Sequence, residues 1–234
     1  MNAVTDHPVS QRWKANSPEV LQLYSFPTPN GVKVSIALEE LALPYEAHKV
    51  TLAVEDVKSA EFLSLNPNGK IPAIIDPDGP DGQPLALFES GAILVYLAEK
   101  TGKLLPAKPV SRYQTLQWVM WQMGGVGPMF GQYGFFNVFG GKEIEDPRPG
   151  ERYRLESIRL LNVLECHLDG RKYMVDDEYS IADISIFPWI RAAIVGYKAE
   201  EAFELDKLPR CMAYLERCLE RPAVQRGLNI PSRD

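Results

Sequence analysis

Apolar residues along the first hundred positions alternate between two periods. Val20, Leu21, Leu23 and Tyr24 form a short run rich in strand formers. Beyond a turn, Val34, Ala37, Leu38 and Leu41 recur at i, i+3, i+4 and i+7, one face of a helix. Thr28 stands at the expected N-cap, with Pro29 at the first helical position. Leu43–Pro44 ends that helix and Tyr45–Leu52 reads as a second strand, so a β-α-β unit is the economical arrangement. Val54–Leu65 predicts a short, weakly helical connection. Asn66–Pro67–Asn68–Gly69 then marks turns ahead of a strand opening at or beside Pro72, since a proline in a sheet belongs at an edge or a strand start. Asp76–Gln83 carries turn residues between Ala73–Ile75 and Leu85–Phe88, which predicts a hairpin. Glu89–Ser90–Gly91 follows at once and opens a helix through Ala92, Val95, Tyr96 and Ala98, stopped at Thr101–Gly102.

After this β-α-β-α-β-β-α run the strand signal ends. Residues 103–110, with Pro106 and Pro109, read as a linker. Leu116, Val119, Met120 and Met123 form an apolar stripe beside Trp118 and Trp121, and Gly124–Gly125 and Gly127–Pro128 predict a kink or break. Phe130–Gly140 is rich in aromatics and glycine, which suits a core or a pocket beside that break. Leu155, Ile158, Leu161, Leu164 and Leu168 predict a long helix. Ser180–Ile181–Ala182–Asp183 is a capping box in its Asp form, a folding signal, ahead of a helix that runs into a proline kink at Pro188. A last helix starts near Pro209, with Met212, Leu215 and Leu219 inward, and stops at Arg221–Pro222. The expected class is therefore α/β plus all-α. It comprises an N-terminal extension (1–19) that is disordered or laid over the surface, an α/β domain (20–102), a linker (103–110) and an all-helical domain (111–234).

Composition narrows the chemistry. A net charge of −6 argues against nucleic acid as a partner, and no apolar run is long enough to span a membrane. The start of the chain lacks the apolar core of a secretory signal. Cys166, Cys211 and Cys218 are few, odd in number and without metal-site spacing, so a reducing cytoplasm without disulfide or metal is expected. With only His7, His48 and His167, a histidine-based triad or cluster has little material. No phosphate loop or dinucleotide fingerprint is present.

The polar turn Thr28–Pro29–Asn30 stands where a helix N-terminus offers free N–H groups and a positive dipole end, which suits an anion as well as simple capping. Pro72 is either an ordinary trans proline opening an edge strand or part of a cis Ile71–Pro72 bond that turns the Ile71 backbone outward, and Glu89–Ser90 is either a cap or a pair of ligand groups.

These motifs, in this order and spacing, resemble the cytosolic glutathione transferases from about Val20 to Val224. The Thr28–Pro29–Asn30 turn, Phe88–Glu89–Ser90–Gly91–Ala92–Ile93–Leu94, and Leu116–Gln117–Trp118 with Gly127–Pro128–Met129 and Gly131–Gln132 are most similar to the bacterial Nu class and its fungal nitrogen-regulator relatives. The resemblance implies a thioredoxin-like N-terminal domain followed by a helical bundle, in a homodimer. It implies glutathione, possibly two molecules per site, and no metal. Thr28 and Asn30 would face the sulfur as catalytic groups. Ile71 would pair its backbone with the cysteinyl part across a cis Pro72, and Lys70 would assist a carboxylate. Glu89 and Ser90 would take the γ-glutamyl ammonium and carboxylate, and Arg152 of Glu151–Arg152–Tyr153 would approach from the helical domain. Met129, Gln132 and Tyr133 would line the pocket of a small disulfide or electrophile. One departure is Val57, where Nu-class members usually carry Gln.

The implied activity is glutathione-dependent disulfide reduction or transfer, with bound thiolate as the nucleophile. A thiol of pKa about 8.5 is mostly protonated at neutral pH, so a helix N-terminus and polar donors would have to stabilise the anion. The alternatives are a regulatory glutathione-binding protein with little turnover, and a helical interaction module.

Overall fold

A computed structural model describes residues 4–233, so the first three residues of the expected extension lie outside the description. The chain forms two compact units. The first takes the residues up to Thr101 together with Pro222–Asp234, and the second is Gly102–Arg221.

The first unit is a thioredoxin-like four-stranded sheet. Its elements are β1 (Leu21–Ser25), α1 (Gly31–Leu41), β2 (Tyr45–Lys49), α2 (Val54–Val57), α3 (Ala60–Leu65), β3 (Ala73–Asp76), β4 (Leu85–Phe88) and α4 (Ser90–Thr101). The strand order is β2-β1-β3-β4, with β1 and β2 parallel and the other pairs antiparallel. Every residue of the two central strands is buried, as expected for strands covered on both faces, whereas the outer strands are only partly so.

One face of the sheet packs against α1 and α4. The other carries Tyr24, Ala73 and Ile75, and there the N-terminal segment closes the core. Val4 and Val9 are wholly buried beside Phe62, and the Trp13 ring meets Phe62 and Tyr24 edge-on at 6.0 and 6.5 Å. The Trp13 indole N–H donates to the Lys49 carbonyl at 2.9 Å, and Glu46 accepts from the backbone N–H groups of Asn16 and Ser17. The segment is laid over the sheet by these apolar anchors, the ordered one of the two states expected for it.

The far end of the chain is a correction. Residues 222–234 read as part of the helical domain, yet α10 (Pro222–Gly227) packs on α1 within the first unit. Arg226 pairs with Glu39 at 2.5 Å, and the Arg233 guanidinium donates to the Pro27 carbonyl at 2.9 Å. Six helical residues carry too weak a pattern to show which body they cover.

The second unit contains α5 (Pro109–Trp121), α6 (Gly127–Asn137), α7 (Arg148–His167), α8 (Ile181–Val195) and α9 (Pro209–Leu219). At its centre is α8, buried on every side from Ile181 to Ile190, so its neighbours pack all around it. The Ser180–Asp183 capping box is formed, and Asp183 also accepts from the Met174 N–H at 3.0 Å. Burial raises the Asp183 carboxyl pKa to about 6 against the pull of these donors. Where glycines predicted a kink or break, the backbone stays helical through one π turn at Gln122–Val126. The expected stripes on α5 and α7 are corrected at one residue each. Val119, Leu161, Leu164 and Leu168 are buried as expected, but Met120 and Leu155 are exposed, and Ser111, Thr115, Ser157 and Leu160 are buried in addition. Among the described residues, no helix is long and apolar enough to cross a membrane.

Candidate functional site

Sheet register gathers three segments that are distant in sequence. Tyr24 pairs with Ala73, and Ala73 with Phe88, both in antiparallel ladders. The turn after β1, the residues before β3 and the residues after β4 therefore leave the sheet at the same end. These are Thr28–Asn30, Lys70–Pro72 and Glu89–Ser90, so all seven candidates in this unit cluster at one edge.

At the turn, the regular span of α1 is Gly31–Leu41, and Asn30 before it already has helical backbone, with φ −81° and ψ −38°. The capping bonds come from Thr28, as expected, ahead of Pro29: its hydroxyl accepts from the Gly31 N–H at 3.2 Å, and its carbonyl accepts from the Val32 N–H at 3.0 Å. Only glycine fits at 31, because a Cβ there would lie 1.9 Å from the Phe26 carbonyl oxygen. The Asn30 side chain does not cap the helix; its Oδ1 accepts from Lys33 Nζ at 2.8 Å.

Lys33 is the residue that sequence reading missed. Its side chain is wholly buried, and its Nζ also reaches Ser90 Oγ at 3.4 Å. Burial pushes its pKa down to about 7, while the charge of Glu89 pulls the other way. Periodicity gave no sign of this, since a lysine flanking an apolar stripe ordinarily marks the solvated side of a helix.

Ser90 is buried at the start of α4. Glu89 before it lies in left-handed backbone with φ 73°, and its carbonyl accepts from the Ile93 N–H at 2.9 Å. A glutamate held in that region is uncommon, and such positions concentrate at functional sites. The Ile71–Pro72 bond is cis. Ile71 is nearly buried, whereas the side chain of Lys70 is exposed. Val57, the position of the missing Gln, lies in the core cluster beneath the sheet, so an apolar side chain takes the place of an amide there.

In the second unit, Arg152 is exposed near the start of α7. Its neighbour Arg154 pairs with Glu151 at 2.7 Å and donates to the Ala202 carbonyl. Met129 borders a cleft of about 320 Å³ together with Met120, Trp121, Glu156 and Arg159. Gln132 is exposed one turn further along α6, and Tyr133 is buried with its ring against Phe203 at 4.5 Å. Met129, Gln132 and Tyr133 therefore have three different surroundings within this unit.

All three cysteines belong to the second unit, and none forms a disulfide. Burial raises the thiol pKa values of Cys211 and Cys218, and Glu165 pushes that of Cys211 further in the same direction. A low-pKa nucleophile needs the opposite environment. Among the described residues, no group of three or more His, Cys, Asp or Glu side chains is placed to hold a metal ion.

Comparison with known proteins agrees with this layout. Residues 28–100 match the family model described as Glutathione S-transferase, N-terminal domain, and residues 151–222 match Glutathione S-transferase, C-terminal domain. The chain is 43% identical over 210 residues to the disulfide-bond oxidoreductase YfcG of Escherichia coli, covering 89% of this chain and 94% of the relative. Among solved structures, a Pseudomonas putida glutathione transferase with one glutathione disulfide bound per subunit superposes with a TM-score of 0.96 at 60% identity, covering 98% of this chain and 99% of that one. A Burkholderia graminis glutathione transferase with two glutathione molecules bound per subunit gives 0.97 at 57% identity, over 100% and 98%.

Proposed function

The chain belongs to the glutathione S-transferase family, and from that premise we propose that it is a glutathione-dependent disulfide oxidoreductase whose reacting sulfur is carried by glutathione. The observation that carries this reading is that the segments forming the polar edge contain no cysteine. That edge offers Thr28, Asn30, Glu89 and Ser90 but no thiol, and Cys166, Cys211 and Cys218 all belong to the other unit.

In this reading Thr28 and Asn30, at the positive end of α1, stabilise the glutathione thiolate by hydrogen bonding and by the helix dipole. Glu89 takes the γ-glutamyl ammonium and Ser90 the adjacent carboxylate. Ile71 pairs through its backbone with the cysteinyl part, beside Pro72. Lys70 and Arg152 supply positive charge for the remaining carboxylates. The thiolate attacks one sulfur of a small disulfide, forming a mixed disulfide and releasing one substrate thiolate. A second glutathione thiolate then attacks the glutathione sulfur of the mixed disulfide, giving glutathione disulfide and the second substrate thiol. Two glutathiones are oxidised and one disulfide is reduced, so no other reductant is needed. The glutathione disulfide bound by the P. putida relative and the two glutathiones bound by the B. graminis relative support this reading. We assign the substrate-pocket role to Met129, Gln132 and Tyr133 of α6.

We further assign the reaction to the cytoplasm, where a glutathione pool is kept reduced, and the working form to a twofold dimer. Val110, Tyr113 and Met120 are more than 60% exposed along one side of α5, an apolar stripe that a second copy would cover. The test is steady-state reduction of a small disulfide with glutathione as the sole reductant, with calorimetric counting of glutathione per subunit. Turnover with one or two molecules bound supports the proposal. Tight binding without turnover would replace it with a regulatory glutathione-binding role.

A further inference from the structure

A wholly buried lysine demands an account, because burying an ammonium is costly unless it is paired and hydrogen-bonded. Lys33 lies at the first turn of α1, where the helix dipole is itself unfavourable to a cation. Its Nζ stands between Asn30 Oδ1 at 2.8 Å and Ser90 Oγ at 3.4 Å, so it links the turn proposed to hold the sulfur with the helix start proposed to hold the γ-glutamyl carboxylate.

The chemistry of these partners is restrictive. A lysine side chain in its ammonium form only donates hydrogen bonds, so it must meet the oxygen of the Asn30 amide and not the nitrogen. An amide whose oxygen is committed in this way can offer an anion only its N–H end. Likewise a hydroxyl that accepts from an ammonium must point its own hydrogen elsewhere. One buried cation thus makes donors of two groups, each of them assigned above to an anionic part of the same ligand.

We propose that Lys33 is a positioning residue that orients the Asn30 amide N–H toward the glutathione thiolate and the Ser90 O–H toward the γ-glutamyl carboxylate. The inference rests on the glutathione-binding reading above and adds a residue to it. The charge that bears on Lys33 is Glu89, at the start of α4. Other charged groups around α1 are engaged elsewhere: Glu39 with Arg226 of α10 and the Tyr45 hydroxyl of β2, and Asp76 of β3 with Lys100 and the Tyr96 hydroxyl of α4.

The experiment uses the full chain with Lys33→Met, which keeps the length of the stem and removes the donors. Circular dichroism checks the fold, ultraviolet titration of bound glutathione gives its thiol pKa, and steady-state kinetics with a small disulfide give kcat and KM for glutathione. The expected result is a folded variant in which the bound thiol titrates at least one pH unit higher. Its kcat/KM for glutathione at pH 7 should fall tenfold or more, with the deficit shrinking as pH rises and thiolate forms unaided. A purely structural role would not move the thiol titration. Lys33→Gln, a neutral donor, should lie between the two, and it carries the same test if Lys33→Met does not fold. Wild-type binding and turnover with an unchanged thiol pKa in the folded variant would overturn this inference alone. A wild-type chain that binds no glutathione would overturn the parent reading and this inference together.

Discussion

The Ser35 hydroxyl donates to the Gly227 carbonyl at 2.6 Å, joining α1 to a helix 192 positions away in the chain. The contact is close because residue 227 has no side chain. A Cβ there would lie 2.6 Å from Ile36 Cα and 2.7 Å from its nitrogen, both backbone atoms that cannot swing aside. Gly227→Ala should therefore destabilise the protein by about 1–3 kcal/mol, the usual cost of overpacking. Gly124, whose added Cβ would meet nothing within 4 Å, is the control. Its change to Ala should stay within about 0.5 kcal/mol. Urea denaturation of both variants measures the difference, and equal midpoints would show that α10 does not press on α1.

Lys33 also makes a stability prediction whose sign is opposite to its proposed use. Its folded pKa is about 7, against an ordinary 10.5, so between those values the unfolded chain binds the extra proton. Stability therefore rises with pH across that window, and below it the wild type bears the whole penalty. The gap of pKa values corresponds to about 5 kcal/mol, offset by about 1 kcal/mol for each hydrogen bond lost to Asn30 and Ser90. Lys33→Met should thus be more stable than wild type at pH 7, on the order of 3 kcal/mol, with the advantage fading toward pH 10. Denaturant titrations at pH 7 and pH 10 decide the matter. A variant less stable at both would mean that the ammonium is well compensated in place.

Much of the candidate edge was legible because its signals are local. Thr28–Pro29–Asn30, Ile71–Pro72 and Glu89–Ser90 each sit where a strand meets a turn or a helix, and turn chemistry is written in adjacent residues. The alternation of strand and helix patterns was enough to place all four strands of the sheet. What escaped reading depended on distant partners. Nothing beside Lys33 indicates that α4 covers it, and the requirement for glycine at 31 comes from the path of the Phe26 carbonyl. Met120 and Leu155 fit helical stripes in sequence but face solvent, since neighbouring helices choose the buried side and accept Thr115 and Ser157 on it. Val4 and Val9 are isolated apolar residues in polar surroundings, and only the bare face of the sheet makes anchors of them.

Binding by the proposed ligand groups can be tested one residue at a time. Glu89→Ala and Arg152→Ala should each weaken glutathione binding by about 1–3 kcal/mol, the range for a hydrogen bond to a charged group. Arg154→Ala, whose guanidinium is engaged with Glu151 and Ala202, should leave binding nearly unchanged. Isothermal calorimetry distinguishes these outcomes. Full affinity in both Glu89→Ala and Arg152→Ala would remove them from the site.

The last prediction concerns which sulfur reacts. Cys211 donates from its backbone N–H to Glu165 at 2.8 Å, and its thiol lies 3.7 Å from the Leu161 carbonyl. A carboxylate and a carbonyl around a buried thiol oppose ionisation, so this cysteine is held as the unreactive form. Cys218 is buried on the same helix and its pKa is raised likewise; Cys166 is exposed on α7. Cys166 and Cys218 stand late in their helices; Cys211 lies in the first turn of α9, where the dipole favours a thiolate, but burial and Glu165 outweigh that pull. The variant Cys166→Ser with Cys211→Ala and Cys218→Ala should lose stability, about 1 kcal/mol for each buried sulfur removed. It should keep glutathione-dependent reduction of a small disulfide within about twofold, below 0.5 kcal/mol in barrier. Asn30→Ala should behave in the opposite way, folding normally while turnover falls by tenfold or more, since a donor to the developing thiolate is lost. Parallel assays of the two variants under identical glutathione decide it. A folded cysteine-free protein without activity, beside a fully active Asn30→Ala, would place the nucleophile on the protein and end the proposal that glutathione alone carries the sulfur chemistry.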